Sequence, residues 1–253
     1  MAQLERNAVG LREVVFQSIC SMAPGAAIAA SIPFGSPLAG GALPLAVLFA
    51  FFGIFFTASS IGQLAAHIPS AGSVATYSAV GLRPWVGFLV GWAYAAVEIL
   101  IVPLVMLQLG YTVAGEWNAE QSSFSTGNWW IFTVAGTLLV GGIVYKGVRS
   151  SARTGVILGA IEIGVFLLVG IILVIKAGGN NDLAVFSPHY ANAPGFAGWS
   201  GVIAGSVFCL LAFSGFEAAA PLAEETENPR KNIPKAVMYA TLSIGALYAF
   251  TTY

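Results

Sequence analysis

Seven apolar segments, each close to the length that crosses a lipid bilayer, follow one another along the chain. They lie near residues 14–35, 42–66, 85–113, 129–146, 153–176, 199–223 and 235–253. A transmembrane helix needs about 20 consecutive apolar residues. Only 8% of the residues are charged, whereas about 25% is usual in soluble domains. These segments, called spans 1 to 7, therefore predict an all-α polytopic membrane protein.

The ends of the chain frame this membrane domain. Residues 1–13 mix acidic and basic side chains and are predicted to be a cytoplasmic N-terminal segment. A cleaved signal peptide is the alternative for the first apolar run. However, Pro24 and Gly25 interrupt this run and span 2 follows closely, which is more typical of a transmembrane helix. Residues 14–253 are then one transmembrane domain. Span 7 is still apolar at Tyr253, which indicates a piece of a longer protein.

The basic residues predict the orientation in the membrane. Short cytoplasmic loops of membrane proteins carry an excess of Lys and Arg. With the N-terminus inside, every one of the 10 Lys and Arg residues except Lys176 falls on the cytoplasmic side. The loops around 70–83 and 224–235 are therefore predicted to be cytoplasmic. Those around 116–128 and 177–198 are predicted to be external.

Composition and motifs argue against several function classes. A net charge of -1 without a basic patch offers no surface for nucleic acid. Cys20 and Cys209 lack the spacing of metal ligands and are predicted to be small buried thiols. No GxSxG or HExxH motif occurs, and His67 and His189 lie near the ends of spans. The sequence therefore predicts neither an enzyme nor a bound metal or cofactor.

Spans 1 and 6 are interrupted in the middle. In span 1, Pro24 removes a helix hydrogen bond and Gly25 permits a turn. In span 6, Ser214 and Gly215 lie just before Glu217. A packing kink would explain span 1 alone, since small residues let helices approach closely. Two broken spans in corresponding positions of two halves instead indicate the binding site of a secondary transporter. There, exposed N–H groups would receive an anion and freed carbonyls a cation, which suits a zwitterion.

Three carboxylates lie inside spans, where a centred charge costs about 2.5–3.5 kcal/mol. They are Glu98 in span 3, Glu162 in span 5 and Glu217 in span 6, and no Lys or Arg accompanies them. Each is expected to be neutral, hydrogen-bonded or in contact with water. Glu217 is expected to accept hydrogen bonds from unpaired N–H groups of the break, with simple helix packing as the alternative role.

Three stretches resemble the amino acid-polyamine-organocation superfamily of permeases. They are FSGFEAAAPLAEETENPRKNIPKA at 213–236, GQLAAHIPSAGSVATYSAVGLRPWVGFLVGW at 62–92 and KGVRSSARTGVILGAIEI at 146–163. The first is the sixth-helix signature of these permeases, and the resemblance covers nearly the whole chain from about Leu11. The chain departs from the pattern at Gln63 and His67, which replace an acid and a basic residue of the family.

This resemblance implies a leucine-transporter-type fold with a five-plus-five inverted repeat. The chain would then hold helices 1 to 7 only, namely the first repeat and the start of the second, with helices 1 and 6 broken. Amino acids or related amines would bind between these two helices. The matching positions are Ser21, Ala23, Pro24, Gly25 and Ala26 in the first break and Phe213, Ser214 and Gly215 in the second. Ala-Pro-Gly replaces the usual Gly-Ser-Gly of helix 1.

The activity implied by the resemblance is secondary active transport across the cell membrane by alternating access. Glu162 stands where many relatives hold a lysine linked to proton coupling. A carboxylate that loses hydration is favoured in its protonated form, so Glu162, together with Glu98, is the candidate proton carrier of an importer. Exchange without protons, sodium coupling, and a non-transporting or channel-like subunit are the alternatives. The substrate and the oligomeric state stay open.

Overall fold

The computed structural model describes residues 9–120, 128–145 and 148–253. Most of the predicted N-terminal segment, the centre of the predicted loop 116–128 and residues 146–147 lie outside the described residues. Contacts divide the chain into two compact units. The first combines the chain up to Gly87 with Leu158–Tyr253, and the second is Phe88–Ile157.

The helices follow the order of the predicted spans and confirm the all-α membrane architecture. They are α1 (Leu11–Ser21), α2 (Pro24–Ala26), α3 (Ser36–Ala39), α4 (Leu43–His67), α5 (Ser73–Gly81), α6 (Pro84–Glu120), α7 (Trp129–Tyr145), α8 (Val148–Ala177), α9 (Trp199–Leu211) and α10 (Pro229–Thr252). Within the described residues, six helical stretches are long and apolar enough to cross a membrane, and the predicted span 4 is the shorter apolar helix α7 of 17 residues. The chain is therefore a multi-pass membrane protein.

Small residues build the core of the first unit. Along α4 the buried positions include Ala46, Ala50 and Ala58, and along α10 they include Ala236 and Ala240. Small side chains let two helix backbones approach closely, so α10 packs along the length of α4. This packing places α10 against the interrupted segments of spans 1 and 6.

Span 7 begins earlier than the sequence predicts. The expected start is residue 235, but α10 starts at Pro229 and contains Pro234. Asn228 precedes the helix in a left-handed conformation with φ 46°. Proline is favoured at the first helical position because its missing N–H would have no partner there. Pro229 after Asn228 is therefore a local signal for this helix start, although the sequence prediction places a loop there.

Three charged segments meet at one end of the first unit. The N–H of Ala71 donates to Glu224 Oε1 at 3.1 Å, and Val9 forms a parallel bridge with Thr226. The segment after Ala71 forms α5, whereas the sequence predicts a loop there, and this helix buries Tyr77. Burial raises the pKa of Tyr77. The N-terminal segment and the loops 70–83 and 224–235 thus share one face.

The loop 177–198 lies at the other end of α4. It contains a short hairpin of β1 (Asn192–Ala193) and β2 (Phe196–Ala197). The Tyr190 hydroxyl donates to Asp182 Oδ2 at 2.5 Å, and the Ala184 N–H donates to Asp182 Oδ1. These two hydrogen bonds hold the pKa of Asp182 below its usual value. The strand β1 packs on α3 and on Gly40–Ala42, just before α4, which rises about 1.5 Å per residue away from them. Loops 70–83 and 177–198 are therefore at opposite ends.

The second unit is built on α6 and α7. Tyr111 and Trp129 stack with ring centroids 4.8 Å apart. Gly110 faces Thr133 so closely that a Cβ on this glycine would collide with the threonine side chain. Pro103 lies inside α6 without ending it.

Labelling of single cysteines tests the arrangement of loops. In full-length protein lacking Cys20 and Cys209, Asn180→Cys should react with an impermeant maleimide applied to intact cells. Lys231→Cys should react only after permeabilisation, because its loop shares a face with the N-terminal segment. The reverse labelling pattern would overturn the predicted orientation.

Candidate functional site

The break in span 1 lies between α1 and α2. The first helix ends at Ser21, and Ala23 takes a left-handed conformation with φ 42° before Pro24 begins α2. Such a conformation costs a residue with a side chain about 1–2 kcal/mol. The prediction that Gly25 provides the turn is wrong, since Ala23 does so. Pro24 is tolerated because it occupies the first helical position, where an N–H has no helical partner.

Gly25 is needed for a different reason, the close approach of span 5. The Gly25 N–H donates to Glu162 Oε1 at 2.8 Å. A Cβ on Gly25 would lie 2.8 Å from Glu162 Oε2. One turn earlier on α8, Gly159 packs on Cys20 in the same way, with 3.2 Å between an added Cβ and the sulfur. The Gly25 N–H is therefore not one of the exposed N–H groups expected at a broken span, because the Glu162 carboxylate accepts from it.

The break in span 6 begins where α9 ends at Leu211. Turns follow, and Gly215 has φ 103°, a conformation that strongly favours glycine. The second half is the 3₁₀ helix Phe216–Glu224 rather than an α-helix. Its Glu217 accepts a hydrogen bond from the Gly215 N–H, with 3.2 Å between nitrogen and Oε2. This is the kind of hydrogen bond expected of Glu217, and its role in transport stays a prediction.

The two breaks touch through their backbones. A Cβ on Gly215 would lie 2.6 Å from the carbonyl oxygen of Ser21 and 3.0 Å from the nitrogen of Met22. No residue other than glycine fits between them without a shift. The side chains of Ser21 and Ser214 are exposed beside this contact. The structure thus brings Ser21 of the first break against Gly215 of the second.

Tyr248 of α10 ties the two breaks together from behind. Its buried hydroxyl lies 2.9 Å from the Ala212 carbonyl oxygen and 3.3 Å from the Met22 carbonyl oxygen. Its ring packs edge-on against Phe213, with centroids 5.1 Å apart. Phe213 itself is fully buried between Tyr248 and Phe51. The sequence does not predict this role of Tyr248, because nothing in span 7 alone distinguishes this tyrosine from its apolar neighbours.

The remaining predicted positions differ in their surroundings. Pro24 is buried, and Ala23 and Ala26 are half-buried. Glu162 is half-buried against the break, whereas Glu98 lies on α6 in the second unit with an exposed side chain. Among the residues that the structure describes, no three His, Cys, Asp or Glu side chains form a group that could hold a metal ion.

Comparison with known sequences then decides the family. The family described as "Amino acid permease" matches residues 13–253. The chain belongs to the amino acid permease family. It is therefore a permease-type membrane protein and not an enzyme.

Several relatives in this family carry names that state a substrate. The low-affinity putrescine importer PlaP of Escherichia coli (strain K12) is 31% identical over 221 residues, which cover 86% of this chain and 47% of PlaP. The general amino-acid permease GAP2 of Candida albicans is 32% identical over 187 residues, 72% of this chain and 31% of GAP2. The branched-chain amino acid permease BcaP of Bacillus subtilis is 25% identical over 229 residues, covering 85% and 47%. The chain therefore spans at most about half the length of these relatives.

Removal of the Tyr248 hydroxyl should destabilise the protein. Tyr248→Phe keeps the ring but takes the donor away from two buried carbonyls, a loss of about 1–3 kcal/mol. Thermal unfolding of the purified full-length permease measures this loss of stability. Tyr239→Phe on the same helix is the matched control, since Tyr239 is 50% exposed. Equal unfolding temperatures for both variants would contradict the bridging role.

A side chain at Gly215 should abolish substrate binding. Gly215→Val introduces both an unfavourable φ and a collision with the backbone of span 1, so the breaks must separate. The amount of protein in the membrane fraction checks insertion, and ligand-induced thermal stabilisation checks binding. Gly179→Val is the control, because a Cβ there meets nothing within 4 Å. Normal binding by Gly215→Val would show that the site is elsewhere.

Proposed function

We propose that the full-length permease moves amino acids or related amines across the cell membrane by alternating access. The substrate binds where the breaks of spans 1 and 6 meet, beside Ser21, Ser214 and Gly215. The single observation that carries this proposal is the direct backbone contact of Gly215 with Ser21. Irregular backbone at membrane depth is tolerated only where it is buried in protein or lines a cavity.

The named relatives support the substrate class. Their printed names include a diamine, amino acids in general and branched-chain amino acids. All these compounds carry an ammonium group. The proposed site offers backbone carbonyls and carboxylates, which are acceptors for such a group. Amino acids and amines are thus the compounds that the site and the relatives have in common.

The orientation is proposed with the N-terminus in the cytoplasm. The segments that meet around Ala71 and Glu224 carry most of the basic residues of the first unit. The opposite end, around Asp182 and Tyr190, carries few. This asymmetry matches the rule that cytoplasmic loops are rich in Lys and Arg.

We further propose that Glu162 takes part in proton coupling, together with Glu98. Glu162 contacts the N–H of Gly25 at the break, so a change in its charge acts directly on the substrate site. When the charge of a protonatable group affects the substrate site, proton binding and substrate binding are energetically coupled. Proton-independent exchange, and a subunit that does not transport, are the alternatives.

Proteoliposomes with full-length protein separate these mechanisms. In Glu162→Gln, uptake driven by an inward proton gradient should disappear, while exchange of internal for external substrate at saturating concentration survives. The glutamine oxygen can still accept from the Gly25 N–H, so the break keeps its shape. Undiminished gradient-driven uptake would refute proton coupling through Glu162. Loss of both uptake and exchange would instead indicate a structural role.

A further inference from the structure

From Met22 to Gly25, each N–H group at the first break is used within the protein. Met22 and Ala23 donate to carbonyls of α1, at 3.1 and 3.0 Å. Pro24 has no N–H to offer. Gly25 donates to Glu162 Oε1 at 2.8 Å. Residues 22–25 therefore leave no backbone donor for a bound anion.

The second break repeats this pattern. The N–H groups of Ala212, Phe213 and Ser214 each donate to a carbonyl of α9 at 3.1 Å. The Phe216 N–H donates within the turn at 3.3 Å, and the Gly215 N–H donates to Glu217 at 3.2 Å. Across residues 212–216, as across residues 22–25, the backbone donors are paired. In each break one of these partners is a carboxylate of the protein itself.

Among the described residues, no Lys or Arg side chain near the breaks takes the place of these paired backbone donors. The Lys and Arg residues of this chain lie only at the ends of the predicted spans. A substrate carboxylate would therefore meet no cation of this chain near the breaks, and it would approach the Glu162 carboxylate. Like charges close together at low dielectric repel strongly. An ammonium group, which only donates hydrogen bonds, meets acceptors and opposite charge instead.

We propose that this site selects amines without a free carboxylate over amino acids, and that Glu162 is the residue that determines this specificity. The Glu162 carboxylate occupies the place of a substrate carboxylate at Gly25 and attracts the substrate ammonium. The inference rests on the proposed transport function and narrows its substrate class. It also replaces the zwitterion expected from the sequence, because that expectation required exposed N–H groups.

Matched ligand pairs test the selectivity on the full-length permease. Butane-1,4-diamine and ornithine differ only by a carboxylate, as do 2-methylpropylamine and valine. Thermal stabilisation over a concentration series yields a dissociation constant for each ligand. In at least one pair, the amine should bind about tenfold or more tightly than its amino acid. Uptake of the same compounds into proteoliposomes shows whether they are transported.

A charge-removing variant assigns the selectivity to Glu162. In Glu162→Gln the side chain still accepts from the Gly25 N–H but has lost its charge. Amine binding should weaken by about tenfold, and the amine-to-amino-acid ratio should fall toward one. Glu116→Gln, an exposed carboxylate of the second unit, should keep the native ratio.

The outcomes separate the two proposals. Tighter binding of the amino acid in both pairs, or an unchanged ratio in Glu162→Gln, would overturn the specificity inference and leave transport intact. Failure of all four compounds to bind or enter proteoliposomes would refute the proposed transport of this class, and the inference with it. If Glu162→Gln does not fold, the native ratios still decide the preference for amines.

Discussion

The backbone contact between Gly215 and Ser21 is the constraint on which the rest of the first unit depends. It requires both helices to be interrupted at the same depth, and it requires a residue without a side chain on one of them. Interrupted helices leave N–H and carbonyl groups without partners, and each such group costs several kcal/mol where water is absent. The contact can therefore exist only if other parts of the chain satisfy these groups.

Partners from distant spans meet this requirement. Glu162 of span 5 accepts from the N–H at the first break, and Tyr248 of span 7 approaches one carbonyl from each break. The other partners are local: Glu217 accepts from the Gly215 N–H two residues away, and the remaining N–H groups at 22–23 and 212–216 donate to carbonyls three or four residues before them. The breaks are thus a property of the packed bundle and not of spans 1 and 6 alone. This also explains why Glu162 and Glu217 lie inside spans, since each accepts a hydrogen bond from the backbone.

The same hydrogen bonds shape the chemistry of the site. A broken helix with free N–H groups attracts anions, but here the protein supplies the anion itself. The two breaks still offer hydrogen-bond acceptors, namely carbonyls and carboxylates, beside the exposed residues Ser21 and Ser214. In our proposal, a single side chain, Glu162 on a neighbouring helix, therefore determines which end of a substrate can be received.

The sequence by itself determined the membrane architecture, the order of spans and the location of both breaks, because apolar length, proline and glycine act locally along the chain. It did not identify Ala23 as the left-handed residue or Gly25 as the donor to Glu162. Nor did it identify Tyr248 as the residue whose hydroxyl approaches carbonyls of both breaks. It also missed α5, and it placed the start of span 7 too late although Pro229 signals that start locally. The roles of Ala23, Gly25 and Tyr248, in contrast, are set by tertiary packing. These features depend on contacts between residues far apart in sequence, Tyr248 and Met22 being separated by 226 positions. Only the tertiary structure could decide them, since a buried polar group is stable where its partner lies, and the chain does not state which distant residues will be partners.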